Sequence, residues 1–144
     1  MKKLLVIMLA LMPLTATFAD NDKPITKEQL PAKAQEFLKQ HFADSTVMLV
    51  TLDKEFFDTN YDVHFKGGSK VEFDKKGEWT EIEFKNSPLP NSVIPSAILE
   101  FAKKHYPDPK FKEIDRNKKG YEVKMMNGIE LEFDLNFNLV GYDD

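Results

Sequence analysis

Acidic side chains recur at alternate positions in three short segments of this 144-residue chain. The segments "KVEFD", "TEIEF" and "IELEFD" alternate charged with apolar residues, which is typical of β-strands. The carboxylates at these positions are Glu72, Glu81, Glu83, Glu130 and Glu132. Paired carboxylates can hydrolyse glycosides, and carboxylate oxygens also bind hard cations such as calcium.

Catalysis is not the function that we expect from these residues. Alternate acids along a strand usually form a solvated sheet face. The sequence has no G-x-S-x-G, P-loop or dinucleotide motif, and its lack of cysteine excludes thiol nucleophiles and zinc–thiolate sites. We therefore predict that the protein is not an enzyme and has no cofactor and no dedicated metal site.

Weak cation binding by the acidic face is the alternative that the sequence leaves open. Asp58, Asn60 and Asp62 match part of a calcium-binding loop, but residues 65–70 offer no bidentate acid at the required place. This alternative corresponds to a periplasmic sensor of a cation or another small ligand.

Trp79 is the only tryptophan, and it lies between acidic residues. Its position alternates in step with Glu81 and Glu83, so we expect it on the same, solvated face, with Leu139 at the equivalent place later in the chain. An exposed tryptophan surrounded by charge is typical of a protein–protein contact. The alternative is that a neighbouring strand shields Trp79 or that a β-bulge reverses its alternation. His64 and Lys124 are expected on this face too, and they complete the predicted binding residues.

The first 19 residues predict a signal peptide rather than part of the fold. Two lysines precede the apolar run "LLVIMLALM", which is too short to span a bilayer, and small residues at Thr17 and Ala19 mark a cleavage site. Residues 20–144 then carry 18 basic and 24 acidic side chains, a net charge of −6. This charge disfavours nucleic acid and anionic lipid. We expect a periplasmic or secreted protein, monomeric, with no membrane insertion after cleavage.

An internal repeat organises the remaining chain. "LPAKAQEFLKQHFAD" corresponds to "IPSAILEFAKKHYPD" at an offset of 64, and "YDVHFKGGSKVEFD" corresponds to "YEVKMMNGIELEFD" at an offset of 60. His41 and His105 recur at equivalent positions near the ends of two predicted helices, so we interpret them as structural. The repeats cover about 26–85 and 93–143, with residues 86–92 as a linker.

Each repeat predicts one amphipathic helix followed by a four-stranded antiparallel meander. Apolar residues follow the 3.6-residue period in the helices and alternate in the strands, with glycine at the turns. The expected fold is therefore α+β, with both helices on one face of the sheet and the other face open. Val140 and Tyr142 are among the residues expected to be buried under the second helix.

The doubled helix motif "LP/IP…F…H-F/Y" and the doubled hairpin motif "Y-x-V…G…E-F-D" resemble the PepSY-like, beta-lactamase-inhibitor-like proteins that Gram-negative bacteria export. The resemblance covers essentially all of residues 20–144. It implies tandem helix-plus-four-strand units whose sheets form a binding face, and a role in binding or restraining an enzyme. It supplies no catalytic residues. We therefore predict a non-catalytic protein whose open sheet face docks an unidentified protein or peptide.

Overall fold

The computed structural model describes residues 22–144, so the predicted signal peptide lies outside the described residues. The fold is α+β, with helices α1 (Ala32–His41) and α2 (Ser96–His105). The strands are β1 (Asp22–Ile25), β2 (Val47–Lys54), β3 (Thr59–Phe65), β4 (Lys70–Asp74), β5 (Trp79–Glu83), β6 (Phe111–Asn117), β7 (Gly120–Met125), β8 (Glu130–Asp134) and β9 (Leu139–Asp143).

All nine strands form one sheet in the order β1 to β9, and every neighbouring pair is antiparallel. The order is therefore a continuous meander. Strands β5 and β6 are hydrogen-bonded neighbours although residues 84–110, including α2, lie between them in the chain. This pairing joins the two halves of the protein into a single sheet.

A row of apolar side chains runs across the sheet and forms the centre of the core. Its members are consecutive cross-strand partners on β3 to β8, and all are fully buried: Val63, Val71, Ile82, Ile114, Val123 and Leu131. Burying a side chain of this size contributes roughly 1.5–3 kcal/mol. Burial on this scale stabilises the fold in a chain that has no cysteine and hence no disulfides.

The helices contact this apolar side of the sheet through matching aromatic pairs. The ring of Phe37 in α1 meets Phe73 edge-on at 5.7 Å, and Phe101 in α2 meets Phe133 in the same way at 5.4 Å. We call the opposite side of the sheet the open face, because none of the described helices packs against it. Both histidines lie against the phenylalanine one turn earlier in their helix: His41 against Phe37, with its Nδ1 3.0 Å from Ser92 Oγ, and His105 against Phe101.

Two features of the sheet differ from the sequence predictions. Strand β1 pairs with β2, although "DKPI" contains proline and shows no apolar alternation. The prediction that Val140 and Tyr142 are buried under the second helix is wrong, because both lie on the last strand, where no described strand follows, and are mainly exposed.

Candidate functional site

A row of acidic residues crosses the open face directly behind the buried apolar row. We call it the carboxylate row, and its members are consecutive cross-strand partners on β3 to β8: Asp62, Glu72, Glu81, Asp115, Glu122 and Glu132. Directly opposed residues in antiparallel strands have Cβ atoms about 4.5–5.5 Å apart, and like charges in such pairs destabilise the sheet. The row therefore concentrates negative charge that needs compensation.

Where β5 meets β6, two members of the row lie beside Glu113 of the adjacent register row. Carboxylate oxygens of Glu81, Glu113 and Asp115 all lie within 4.8 Å of one another, and all three residues are partly buried. We call these three residues the acidic cluster. Calcium binds oxygens at about 2.3–2.6 Å, so two oxygens on one ion lie no more than about 5 Å apart. The spacing of the acidic cluster fits a single cation of this kind.

Burial and repulsion within the acidic cluster both act on the Asp115 carboxyl. Burial, followed by the neighbouring charges of Glu113, Glu81 and Glu122, raises the pKa of the Asp115 carboxyl to about 7. The pKa of Glu113 is also raised, chiefly by burial. Near neutral pH, Asp115 is thus divided between its protonated and charged forms, and a cation would favour the charged form.

Asp62 and Glu72 are the first two members of the row, on β3 and β4, and both are partly buried. Burial raises the pKa of both carboxyls, and the charge of Asp62 raises the pKa of Glu72 further. Thr80 donates a hydrogen bond to Glu72 Oε1 at 2.8 Å, whereas the buried Asp62 Oδ1 has no hydrogen-bond partner among the described residues. This oxygen remains an acceptor that the fold itself does not satisfy.

Lysines of the adjacent register row partly neutralise the acidic residues of the open face. Lys70 Nζ lies 3.0 Å from Glu81, and Lys124 Nζ lies 3.2 Å from Glu130 and 4.0 Å from Glu113. Burial alone would lower the pKa of Lys70, but its hydrogen bond and charge interaction with Glu81 raise it overall. Lys70 therefore competes with any cation for Glu81.

Seven of the eight predicted binding residues lie together on the open face. Glu72, Glu81 and Glu132 belong to the carboxylate row, and the adjacent register row contains the other four, which are His64, Glu83, Lys124 and Glu130. The pKa of His64 is lowered by burial and by the charge of Lys70. His64 is therefore neutral near pH 7, and it adds no positive charge to this face.

The eighth residue, Trp79, lies on the helix side, so the expectation that it shares the solvated face is wrong and the alternative of a β-bulge is the one observed. A β-bulge pairs Trp79 with the buried Phe73 and leaves Thr80 as the extra residue before Glu81 meets Glu72. One inserted residue reverses the side-chain alternation. The same bulge in β9 pairs Leu139 with Phe133, so Leu139 also leaves the predicted face.

Trp79 instead lines a cleft of about 310 Å³ beside α1, together with Phe37 and Lys33. The Arg116 guanidinium stacks 4.4 Å from the centre of the indole ring and donates a hydrogen bond to the Trp79 carbonyl at 2.6 Å. Such a stacked cation is worth about 0.5–2 kcal/mol. These contacts give Trp79 a packing role, and its predicted role in partner binding remains untested.

Glu113 and Asp115 are the site residues that the sequence analysis did not include. Both lie on β6, on either side of the buried Ile114. Their parity was available from the sequence. Their proximity to Glu81 was not, because it depends on the pairing of β5 with β6 across the two halves.

The chain matches known proteins at the level of both sequence and structure. A family model described as "Putative beta-lactamase-inhibitor-like, PepSY-like" matches residues 59–141. No curated protein matches the chain. None of the described helices is long and apolar enough to cross a membrane.

Three solved structures from Bacteroides resemble the protein closely. A "putative calcium-regulated periplasmic protein" from Bacteroides thetaiotaomicron is 49% identical to this chain, with a TM-score of 0.83. The alignment covers 85% of this chain and 97% of the relative. A "putative periplasmic protein" from Bacteroides vulgatus is 47% identical, with a TM-score of 0.84, and the alignment covers 88% of this chain and 100% of the relative. A second "putative periplasmic protein of unknown function" from Bacteroides vulgatus is 37% identical, with a TM-score of 0.79, and the alignment covers 85% of this chain and 99% of the relative.

The family model spans more than half of the chain, and its span includes the carboxylate row on β3 to β8. The doubled hairpin motif on which the resemblance was based lies within the same span. The protein belongs to the PepSY-like, beta-lactamase-inhibitor-like family.

Proposed function

We propose that this protein is a periplasmic, non-catalytic binding protein whose open face binds Ca²⁺ at the acidic cluster. The observation that supports this most directly is the convergence of carboxylate oxygens from Glu81, Glu113 and Asp115 within 4.8 Å. The 49% identical relative that is described as calcium-regulated and periplasmic supports the same cation and compartment. This is the cation-binding alternative of the sequence analysis, now with a specific set of residues.

Calcium fits this site better than other common divalent cations. The donors are carboxylate oxygens on a sheet surface, which suits the variable geometry of calcium, whereas zinc prefers nitrogen and sulfur and magnesium requires a near-ideal octahedron. Water completes the coordination on the solvent side. Because the site has three carboxylates and one side open to solvent, we expect a weak calcium affinity like that of extracellular calcium-binding modules, whose Kd is about 10⁻⁴–10⁻³ M.

Cation binding is linked to the proton on Asp115. The pKa of this carboxyl is raised to about 7, so at neutral pH a bound cation must displace the proton from a large fraction of molecules. Affinity for calcium should therefore rise with pH from about 6 to about 8. The bound ion would also remove the repulsion that destabilises the junction of β5 and β6.

Thermal unfolding with and without calcium tests the proposal. Calcium at about twentyfold its Kd should add about 1.8 kcal/mol to the free energy of unfolding. Glu113→Gln and Asp115→Asn should each lose most of this gain, while Asp143→Asn, a charge-matched change at the far edge of the open face, should keep it. The proposal fails if calcium has no effect beyond that of sodium at equal ionic strength, or if all three variants respond equally.

Docking of a protein or peptide on the open face is the second candidate, because none of the described helices covers this charged surface. A separate exposed feature also favours a partner: Phe56 and Phe57 at the β2–β3 turn are 93% and 92% exposed. A pull-down from periplasmic extract would compare wild type with Trp79→Ala and with the double variant Glu130→Lys and Glu132→Lys. Loss of one partner with the double variant supports docking on this face, and equal recovery from all three proteins contradicts it.

We also infer that the two halves are tandem copies of one unit. Each half follows the order helix and four strands, with a helix phenylalanine edge-on to a strand phenylalanine. The turn aspartates match too: Asp74 Oδ1 accepts backbone hydrogen bonds from Lys76 and Glu78, and Asp134 Oδ1 accepts them from Asn136 and Asn138.

A further inference from the structure

Strand β9 forms an edge of the sheet that is apolar and accessible. Among the described residues it pairs only with β8, so one side of its backbone presents unpaired N–H and C=O groups. Its large apolar side chains are exposed: Leu139 by 42%, Val140 by 63% and Tyr142 by 56%. Natural sheets usually protect such an edge, because it can pair with another chain.

The equivalent strand in the first half shows what an added strand does at this position. At the offset of 60, Tyr142 corresponds to Ile82 of β5. The free side of β5 is completed by β6, with Ile82 opposite Ile114, and Ile82 is fully buried as a result. Strand β9 has a bulge at the same place as β5. Its segment Gly141–Asp143 therefore corresponds to residues 81–83 of β5, which pair with β6.

The buried apolar row ends at this segment. Tyr142 is the cross-strand partner of Leu131, the last fully buried member of the row. The opposite sheet edge differs, because β1 has only four residues and contains Lys23 and Pro24, two residue types that discourage strand addition. The two edges are therefore poorly suited to pair with each other in a head-to-tail assembly.

We propose that β9 pairs antiparallel with β9 of a second copy of this chain, with Tyr142 opposite the partner's Tyr142. This register places Gly141 opposite the partner's Asp143, so that no two carboxylates oppose each other directly. It continues the apolar row across the two-fold axis and closes the assembly as a dimer, because each copy uses the same strand. The dimer departs from the monomer expected from the sequence, and it does not depend on calcium binding.

Sedimentation velocity over roughly a hundredfold range of concentration, in the presence of a calcium chelator, tests the assembly. Wild type should shift from one copy to two as concentration rises, and Tyr142→Lys should weaken association at least about tenfold, since an edge lysine opposes pairing. Phe57→Lys is the matched control, because it removes an equally large exposed aromatic elsewhere and should associate like wild type. Val140→Asp, which this register places opposite the partner's Asp144, replaces Tyr142→Lys if the latter lowers the melting temperature, because opposed like charges destabilise strand pairing.

A single-cysteine experiment tests the register, because the chain contains no cysteine of its own. Opposed residues in antiparallel strands have Cα atoms about 4.5–5.5 Å apart, which suits a disulfide. Tyr142→Cys should therefore form a covalent dimer under mild oxidation, and Phe57→Cys should not. A monomer at all concentrations, equal association of Tyr142→Lys and wild type, loss of association in Phe57→Lys, or equal cross-linking of the two cysteine variants would each overturn the proposal.

Discussion

Replacing Asp115 with asparagine should stabilise the protein at neutral and alkaline pH in the absence of calcium. The pKa of this carboxyl rises from an ordinary 3.8 to about 7 in the fold. The native state therefore holds the proton more tightly than the unfolded chain does. The stability that this provides is complete below about pH 4 and is lost as pH rises through about 7.

The magnitude follows from the size of the shift. About three pKa units correspond to about 4 kcal/mol, and solvent screening of this half-buried group reduces the figure to about 2 kcal/mol. Asp115→Asn removes the charge with little change of shape. We therefore expect the free energy of unfolding of the variant to exceed that of wild type by about 2 kcal/mol at pH 8 and to equal it near pH 4.

Urea denaturation at a series of pH values, with calcium chelated, measures this difference directly. Asp143→Asn at the exposed edge serves as the charge-matched control and should differ little from wild type at every pH. A difference between Asp115→Asn and wild type that stays constant from pH 4 to pH 8, or that favours wild type at pH 8, would refute the electrostatic account of the acidic cluster.

Three further predictions follow from individual contacts. Lys70→Gln should tighten calcium binding measured by calorimetry, because Lys70 no longer competes for Glu81 at 3.0 Å; unchanged or weaker binding would place the ion elsewhere. Trp79→Ala should lower the melting temperature through a loss of about 1–3 kcal/mol of packing and stacking on Arg116, without changing calcium affinity. Gly120→Ala should destabilise the fold more than Gly128→Ala in urea titrations, because its Cβ would collide with the backbone of β8, whereas Gly128 faces open space; equal losses would contradict the close packing at Gly120.

The local structure of most of this protein could be predicted from its sequence. A mostly apolar segment indicates β2 and alternation indicates most of the later strands. Gly67 and Gly68 adopt the positive φ values of 95° and 91° that the predicted turn requires. The open face and most of its acidic residues follow from the same alternation. These features depend on residues close together in the chain, where the physical signal is local.

The errors arise where one added residue or a distant strand decides the outcome. Trp79 lies on the helix side because the bulge at Thr80 reverses the side-chain alternation on the Trp79 side of the bulge. The sequence does not reveal this bulge, because no distinctive residue type marks it. Tyr142 has the alternation expected of a buried residue, but it is exposed because no described strand pairs with the outer side of β9. The acidic cluster depends on the pairing of β5 with β6, and no short segment of sequence contains that information.

The most direct test of the central claim is to locate the bound ion. Crystals grown with calcium and measured at long wavelength should show an anomalous peak between Glu81, Glu113 and Asp115, with oxygen distances of about 2.3–2.6 Å. Crystals of Asp115→Asn grown in the same way should lack this peak. A peak at another position, or none at a calcium concentration that stabilises the protein in solution, would contradict the assignment.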